Sequence, residues 1–372
     1  MNPIPEETVE AFAREVLRLR SEYEFGTFWL GTRVAGPVTP EEALAIKADV
    51  NRRVGRRVEQ MAPGLEASLE RAVIRIELNY PDGGARVQSV QPLLIYGRYR
   101  KLSREIPQSK WPCRRCHGAG LLPLSPLPRR CDTCGGTGKR FLRSVEELIA
   151  APVLAICRPF DAPLAQSHEQ GRMVQSGTKM HSVGREDVDA RMLGRGRPFV
   201  LELEMPRVRT FDLAPIQEAL NRTLAGEVEL EQLQFADREL LDRMLRMNPD
   251  KSYRAAVECL APVPREAVER LGALRDLVLR QETPRRVLHR RPNLVRRRTV
   301  RTCSAQISEP GPMIRRFELT ARVQSGTYVK ELISGDEGRT HPSISAILRA
   351  PCDCVELDVL EVHCDPAGDL RP

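Results

Sequence analysis

The feature that most restricts what this chain can fold into is a pair of Cys-x-x-Cys motifs inside a segment without a hydrophobic pattern. Residues 111–140 are rich in proline, glycine, cysteine and arginine, and such a composition cannot form a core of its own. The four cysteines lie in two pairs with fourteen residues between them, Cys113 with Cys116 and Cys131 with Cys134. This spacing is close to that of zinc knuckles, which bring four thiolates to a tetrahedron. The sequence therefore predicts one structural Zn²⁺ that orders the segment.

Glycines follow each cysteine pair, which allows backbone N–H groups to turn toward the sulfurs. Basic residues that suit RNA docking surround the motifs: Arg114, Arg115, Arg129, Arg130, Lys139 and Arg140. The alternative is four free cysteines in a loop. The other six cysteines are scattered among apolar stretches, so we expect them to be reduced buried thiols and not disulfides.

The chain has 372 residues, of which 41% are hydrophobic, enough for a sizeable core and two domains. Its net charge of +8 is carried by clustered arginines, which suits a phosphate-rich partner, although solvated helix faces are the alternative. There is no apolar run of about eighteen residues, and the N-terminal sequence is acidic where a signal peptide would be basic and then apolar. We expect a cytoplasmic protein.

Hydrophobic spacing predicts helices over residues 6–20 and after Thr39, and a strand pair formed by residues 73–78 and 87–96. Later strands are indicated by the alternation of PFVLELEM, ending at Met205, and of RRFELTARVQ. Further helices are predicted over Pro215 to Leu224 and Arg265 to Arg280. The fold class is therefore α+β with a largely antiparallel sheet. We divide the chain into an RNA-binding region (1–110), a zinc-binding segment (111–143) and a catalytic domain (144–372).

Three short segments carry candidate catalytic chemistry. GREDVDARMLGRGRPFVLEL sets Asp187 and Asp189 among arginines, which favour an ionised carboxylate and can hold phosphates. A structural ion pair is the alternative, and we expect one between Asp189 and Arg191. SGTYVKELISG places Tyr328 and Lys330 at a strand-to-helix junction, and KSYRAAVE flanks Tyr253 with Lys251 and Arg254. A ring beside cations is a surface on which a flipped base could stack.

Together these segments resemble the archaeal family of tRNA pseudouridine synthases that modify the T loop. GREDVDARMLG resembles the family's catalytic motif, and its Gly-Arg-Glu-Asp is similar to the Gly-Arg-Thr-Asp of TruA-type synthases. SGTYVKEL resembles the Gly-Thr-Tyr-Ile-Arg motif of TruB-type synthases, with Lys330 where TruB has arginine. YEFGTFWLGTRV, PLLIYGRYRKLSREIPQSKWPC and SVEELI resemble the family's THUMP-bearing N-terminal region.

The resemblance implies a pseudouridine synthase fold and assigns roles to individual residues. Asp187 would be the essential carboxylate, Tyr253 the ring against the target uracil, and Lys330 the ion-pair partner of Asp187. Leu357 matches the family's apolar residue that lines the pocket. The segments themselves add Tyr328, Arg185 and Arg191 as candidate substrate-binding residues.

In the family's chemistry the aspartate attacks C1′ of the ribose or removes a 2′ proton. The glycosidic bond breaks, and the uracil rejoins the sugar through C5 without a cofactor. The implied partner is the T arm of tRNA, at position 54, position 55 or both, with no membrane and no protein partner.

Two other hypotheses remain from the sequence. A tRNA-binding protein of the same fold could be catalytically silent. A zinc-dependent chaperone cofactor is suggested by CRRCHGAG and CDTCGGTG, which match the Cys-x-x-Cys-x-Gly-x-Gly repeat of DnaJ-type proteins.

Finally, the run from Arg285 to Arg301 contains eight arginines and is predicted to follow RNA phosphates.

Overall fold

The computed structural model describes residues 4–123, 127–158, 168–169, 172–173, 177–289 and 291–368. The α-helices of these residues are α1 (Glu6–Arg18), α2 (Pro40–Met61), α3 (Val145–Cys157), α4 (Ala214–Thr223), α5 (Arg238–Arg246), α6 (Arg265–Glu269), α7 (Val329–Ser334) and α8 (Ile344–Leu348). Short 3₁₀ helices cover Leu19–Ser21, Arg270–Ala273, Arg285–Val287 and Asp336–Gly338. No helix among the described residues is both long and apolar enough to cross a membrane.

The strands, in chain order, are β1 (Thr27–Val34), β2 (Glu66–Ala67), β3 (Ile74–Tyr80), β4 (Gly84–Val90), β5 (Leu93–Lys101), β6 (Leu121–Leu122), β7 (Arg129–Arg130), β8 (His168–Glu169), β9 (Arg172–Met173), β10 (Thr178–Ser182), β11 (Ala190–Leu203), β12 (Val228–Ala236), β13 (Lys251–Pro264), β14 (Arg275–Glu282), β15 (Val295–Gln306), β16 (Met313–Val323), β17 (Thr340–His341) and β18 (Cys352–Val362).

The chain forms two compact units. The first comprises Met1–Leu94, Ala150–Lys179 and Glu202–Asp212, and the second comprises Ile95–Ile149, Met180–Leu201 and Leu213–Pro372. The cysteine segment thus belongs to the second unit. The three-part division at residues 110 and 143 stays a prediction about functional regions.

In the first unit, helices α1 and α2 confirm the predicted helical spacing. The residues of α1 at one-turn spacing, including Phe12 and Val16, are fully buried. A capping box begins α2, because the Thr39 side chain accepts from the Glu42 N–H while the Glu42 side chain accepts from the Thr39 N–H. The associated sheet has the order β2-β1-β3-β4, with parallel pairing on either side of β1 and antiparallel pairing of β3 with β4.

The strand predicted over residues 87–96 is wrong in one respect, because the structure divides it into two strands. β4 ends at Val90 and pairs with β3, whereas β5 begins at Leu93 and joins the larger sheet. Pro92 lies at the break, and proline has no N–H to donate to a strand ladder. The hydrophobic alternation alone did not reveal which sheet each half would join.

The larger sheet has ten strands in the order β12-β5-β11-β18-β13-β16-β15-β14-β17, with β10 beside β11. Pairing is antiparallel from β18 through β14, and β11 pairs with β18 in parallel. This arrangement confirms the α+β class. The predicted alternation of β16 is also confirmed, because Phe317, Leu319, Ala321 and Val323 are all buried. β11 ends at Leu203, so the prediction that this strand extends to Met205 is wrong by two residues.

The helix predicted over Arg265 to Arg280 is wrong beyond its first turns. α6 ends at Glu269, a 3₁₀ turn follows, and β14 begins at Arg275 and pairs with β15. Gly272 weakens a continuous helix at this point. Leu279 and Gln281 are buried two residues apart, as the period of a strand requires.

Candidate active site

The loop that leads into β11 carries both predicted carboxylates, and a buried lysine fixes its backbone. Lys101 is fully buried at the end of β5. Its ammonium donates to the carbonyl oxygens of Ile106, Asp187 and Val188 at 3.0, 3.2 and 2.6 Å. Burial lowers the pKa of Lys101 to about 8, although nearby carboxylates raise it. The loop therefore has a defined backbone at the point where the candidate catalytic side chain leaves it.

Two cations from distant parts of the chain face the Asp187 carboxylate. Arg286 Nη1 lies 2.9 Å from Asp187 Oδ2, and Lys330 Nζ lies 4.0 Å from the same oxygen. Lys330 is closer to Asp189, with 2.7 Å between Nζ and Oδ2. Burial raises the pKa of Asp189, but the hydrogen bond and charge of Lys330 outweigh burial and lower it. The structure thus places the Lys330 ammonium within ion-pair distance of both aspartates.

Tyr253 and Leu357 reach the same region through the register of the large sheet. Tyr253 on β13 lies opposite Val359 of β18, and Leu357 lies opposite Ala190, the first residue of β11. Leu357 is buried and Tyr253 packs partly buried against its hydrophobic cluster. Burial, together with the charges of Glu186 and Asp187, raises the pKa of Tyr253 to about 12 against the lowering effect of Arg197. The hydroxyl is therefore protonated at neutral pH.

Arg197, which sequence analysis grouped with phosphate-holding arginines, is fully buried. Its Nε lies 2.9 Å from Glu186 Oε2, and both side chains have no exposed surface. The Tyr99 hydroxyl donates to the same carboxylate at 2.9 Å, and Arg197 Nη1 donates to the Val183 carbonyl at 2.6 Å. This position excludes contact with a phosphate. Arg197 instead supports the residue that precedes Asp187.

The expected ion pair between Asp189 and Arg191 is also wrong. Arg191 makes two 2.9 Å hydrogen bonds to the buried carboxylate of Asp358, because the parallel register of β11 and β18 places these residues opposite each other. Arg185 is exposed, and its guanidinium carbon lies 5.5 Å from the centre of the Trp111 ring. The substrate-binding roles of Arg185 and Arg191 stay predictions.

Tyr328 directly precedes α7, and the Gln281 side chain hydrogen-bonds both its N–H and its carbonyl. The Tyr328 N–H donates to Gln281 Oε1 at 2.8 Å, and its carbonyl accepts from Gln281 Nε2 at 3.0 Å. Gln281 is almost fully buried. These contacts fix the direction in which the following Lys330 leaves the helix, while the role of the Tyr328 ring stays a prediction.

Sequence analysis missed two residues of this site. Arg286 was assigned to a phosphate-binding run, and no local pattern could have joined it to Asp187, which lies 99 positions earlier. Glu331 is buried and pairs with Arg286. Its signal was present, since a carboxylate stands among the apolar residues of the motif SGTYVKEL.

The predicted basic run continues onto β15 with Arg296, Arg297 and Arg298. Arg297 is exposed, whereas Arg296 and Arg298 are half-buried. Arg296 Nη1 also donates to Thr283 Oγ1 at 2.9 Å. Arg290 lies outside the described residues. Contact of this run with phosphates stays a prediction.

The four predicted cysteine ligands form one cluster. Their sulfur atoms lie within 4.8 Å of one another, with 3.9 Å between Cys113 and Cys131 and 3.7 Å between Cys116 and Cys134. A tetrahedral ion bonded to four sulfurs at 2.3 Å requires sulfur separations of about 3.8 Å. The residues therefore fit a tetrahedral metal.

Backbone donors tune the thiols as the glycine pattern predicted. The N–H groups of Gly120 and Gly138 lie 3.2 and 3.3 Å from the sulfurs of Cys116 and Cys134. A Cβ at either glycine would come within 2.3 Å of a backbone oxygen, so both positions require glycine. Burial raises the pKa of Cys134, but the Gly138 N–H and neighbouring thiols lower it to about 6. Burial raises the pKa of Cys116 to about 11, so a cation is needed to hold all four as thiolates.

Known proteins resemble this chain over most of its length. A family model described as "Pus10, C-terminal" matches residues 94–363. The tRNA pseudouridine synthase Pus10 of Methanothrix thermoacetophila is 38% identical over an alignment of 371 positions, which covers 96% of this chain and 74% of the relative. The protein of the same name from Archaeoglobus fulgidus is 36% identical over 95% of this chain and 92% of the relative.

Among solved structures, a chain in the crystal structure of a Cbf5-Nop10-Gar1 complex is similar to this protein, with 16% identity and a TM-score of 0.29. The similar region covers 50% of this protein and 40% of the chain in the complex. That likeness is too low to support a conclusion about this chain. The sequence matches define the protein as a pseudouridine synthase, an enzyme of the isomerase class. Within that class, the chain belongs to the Pus10 family. Family membership argues against the DnaJ-type alternative.

Proposed function

We propose that this protein isomerises uridine to pseudouridine in the T loop of tRNA, at position 54, position 55 or both, with Asp187 as the catalytic carboxylate. tRNA is the proposed substrate because the relatives are named tRNA pseudouridine synthases. The observation that carries the proposal is the position of the Asp187 carboxylate, which two cations face and whose loop backbone a buried ammonium holds.

The chemistry that we propose needs an ionised carboxylate beside a water-poor pocket. Asp187 would attack C1′ of the ribose or remove the 2′ proton, so that the bond between C1′ and N1 of uracil breaks. The detached uracil would turn, and its C5 would bond to C1′ as the ester bond between C1′ and Asp187 breaks or, in the other route, as the 2′ proton returns to the sugar. C5 would then lose its proton, and N1 would gain one. Tyr253 and Leu357 offer an aromatic ring and an aliphatic surface for holding the base during this turn, which limits hydrolysis of the intermediate. No cofactor is required by this scheme.

We also propose that Cys113, Cys116, Cys131 and Cys134 hold a structural Zn²⁺. The four-sulfur donor set suits zinc, and a site filled by four protein ligands has no open position for catalysis. The ion would order the cysteine segment and leave the chemistry to the carboxylate.

The decisive variant is Asp187→Asn, which preserves size and hydrogen bonding and removes the charge. Pseudouridine formation in an unmodified tRNA transcript should fall to background under single-turnover conditions. Binding should stay within about tenfold of wild type, because tRNA affinity comes mainly from phosphate contacts. Mapping the modified positions in the wild-type product identifies position 54, position 55 or both.

Asp189→Asn is the matched control, since it makes the same change two residues later and on a carboxylate that shares Lys330. It should lose less activity than Asp187→Asn. Substantial pseudouridine formation by Asp187→Asn would refute the catalytic assignment. A wild-type protein that binds tRNA and forms no pseudouridine would support the silent tRNA-binding alternative.

A further inference from the structure

Arg286 connects the Asp187 carboxylate to a second carboxylate that is buried. The guanidinium leaves the 3₁₀ turn Arg285–Val287 after β14. Its Nε lies 2.6 Å from Glu331 Oε1 and its Nη2 lies 3.4 Å from Glu331 Oε2. The remaining nitrogen, Nη1, lies 2.9 Å from Asp187 Oδ2. One planar group therefore contacts both acids.

The two carboxylates differ in burial, which indicates the direction of support. The side chain of Glu331 is 6% exposed and that of Asp187 is 32% exposed. Glu331 takes two nitrogens of Arg286, and such a two-point contact fixes the plane of a guanidinium. Asp187 takes one nitrogen and keeps an accessible face. The buried acid thus orients Arg286, and Arg286 in turn contacts the candidate catalytic acid.

Two adjacent residues of α7 in the motif SGTYVKEL, Lys330 and Glu331, contribute to the charges around Asp187. Lys330 lies 4.0 Å from Asp187 and 2.7 Å from Asp189, so Arg286 is the closer cation to the Asp187 carboxylate. Glu331 does not contact Asp187 itself and acts on it by holding Arg286.

We propose that Arg286 is a positioning residue for the catalytic carboxylate and that Glu331 acts through Arg286. This inference rests on the proposed function of Asp187. A directed N–H at hydrogen-bond distance limits the rotation of a carboxylate. Arg286 would therefore keep the Asp187 carboxylate turned toward the sugar.

The charged and titratable groups around Asp187 come from several elements. Among the described residues they are Arg286, Lys330, Asp189, Glu186, Lys101 and Tyr253. Lys101 contacts the backbone carbonyl of Asp187, not its carboxylate. Without Arg286, Lys330 at 4.0 Å would still face the Asp187 carboxylate. The rate of the chemical step at saturating tRNA is therefore the property most sensitive to Arg286.

The test measures the single-turnover rate of pseudouridine formation at saturating tRNA and, separately, tRNA binding, both at neutral pH. The principal variant is the double substitution Arg286→Met with Glu331→Gln. Removing both partners avoids a buried unpaired carboxylate, which Arg286→Met alone would leave and which could prevent folding. The single-turnover rate at saturating tRNA should fall about tenfold, because the Asp187 carboxylate is then less well oriented. tRNA affinity should stay within about threefold of wild type.

Two further variants separate positioning from general damage. Arg286→Lys keeps a cation and should restore part of the lost rate. Arg286→Met alone, if it folds, should match the rate of the double variant within about twofold, because Glu331 then has nothing to act through. Arg280→Met is the control for loss of a nearby charge. Arg280 lies outside the basic run and pairs with Glu282, so its substitution should leave the single-turnover rate unchanged.

A double variant with the wild-type rate at saturating tRNA would overturn this inference. So would a wild-type rate at saturating tRNA with a tRNA affinity about tenfold lower, since Arg286 would then be a substrate contact. Absence of pseudouridine in the wild-type reaction would instead overturn the proposed function, and this inference with it.

Discussion

Replacing Asp358 by asparagine should destabilise the second unit, because this buried carboxylate pairs with three arginines. Asp358 lies on β18 and is 4% exposed. It accepts hydrogen bonds from Arg191 at 2.9 Å, from Arg254 at 3.0 Å and from Arg104 at 2.7 Å. Asparagine keeps the size of the side chain and removes the charge. The three guanidiniums would then lose their shared anion, although Arg104 keeps Glu356 and Arg254 keeps Glu318 as ion-pair partners.

The size of the effect follows from how far water reaches these groups. Breaking a fully buried ion pair costs about 3–5 kcal/mol. The three arginine side chains are 25%, 34% and 36% exposed, so solvent screens part of the uncompensated charge. We therefore expect the free energy of unfolding to fall by about 2–3 kcal/mol at neutral pH.

The loss should depend on pH in a definite direction. Burial raises the pKa of Asp358, but the hydrogen bonds and charges of the arginines outweigh burial and lower it below the ordinary value of 3.8. An acid whose folded pKa is lowered contributes its full stability above the unfolded pKa and loses it as the pH falls through the folded pKa. The difference between wild type and Asp358→Asn should therefore be constant near neutrality and shrink below about pH 3.8.

Denaturant unfolding at several pH values measures this difference. Asp353→Asn is the matched control on the same strand, because Asp353 is exposed and its substitution should change stability by less than about 0.5 kcal/mol. If Asp358→Asn is as stable as this control at neutral pH, the cluster does not stabilise the fold and the reasoning fails.

Two other predictions concern metal and RNA. Purified protein should contain about one equivalent of zinc by elemental analysis. The double substitution Cys131→Ser with Cys134→Ser should remove the metal. A wild-type metal content below about half an equivalent that does not change in the variant would contradict the assignment. Converting Arg296, Arg297 and Arg298 together to alanine should weaken tRNA binding and lower its dependence on salt by about two to three in slope. An unchanged slope in binding titrations at several salt concentrations would place the RNA path elsewhere.

Local patterns in the sequence were enough to predict those features that depend on neighbouring residues. The spacing of the cysteine pairs and their glycines predicted a four-sulfur cluster, because a knuckle is formed within a few residues of backbone. The capping box at Thr39 and the alternation of β16 predicted a helix start and a half-buried strand for the same reason. That the loop of Asp187 and the helix of Lys330 would meet came from the resemblance of their motifs to a known family and not from a local pattern.

Only the tertiary structure decided which charges those motifs would face. Asp187 meets Arg286 across 99 positions of sequence, and Arg191 meets Asp358 across 167. Such pairs are fixed by the register of strands in a ten-stranded sheet, and no local pattern encodes that register. The burial of Arg197 was likewise decided by the tertiary structure. Its charge is evident from the sequence, but its enclosure with Glu186 is not. An arginine binds a phosphate or a buried acid according to where the packed sheet places it, because the same guanidinium suits either partner.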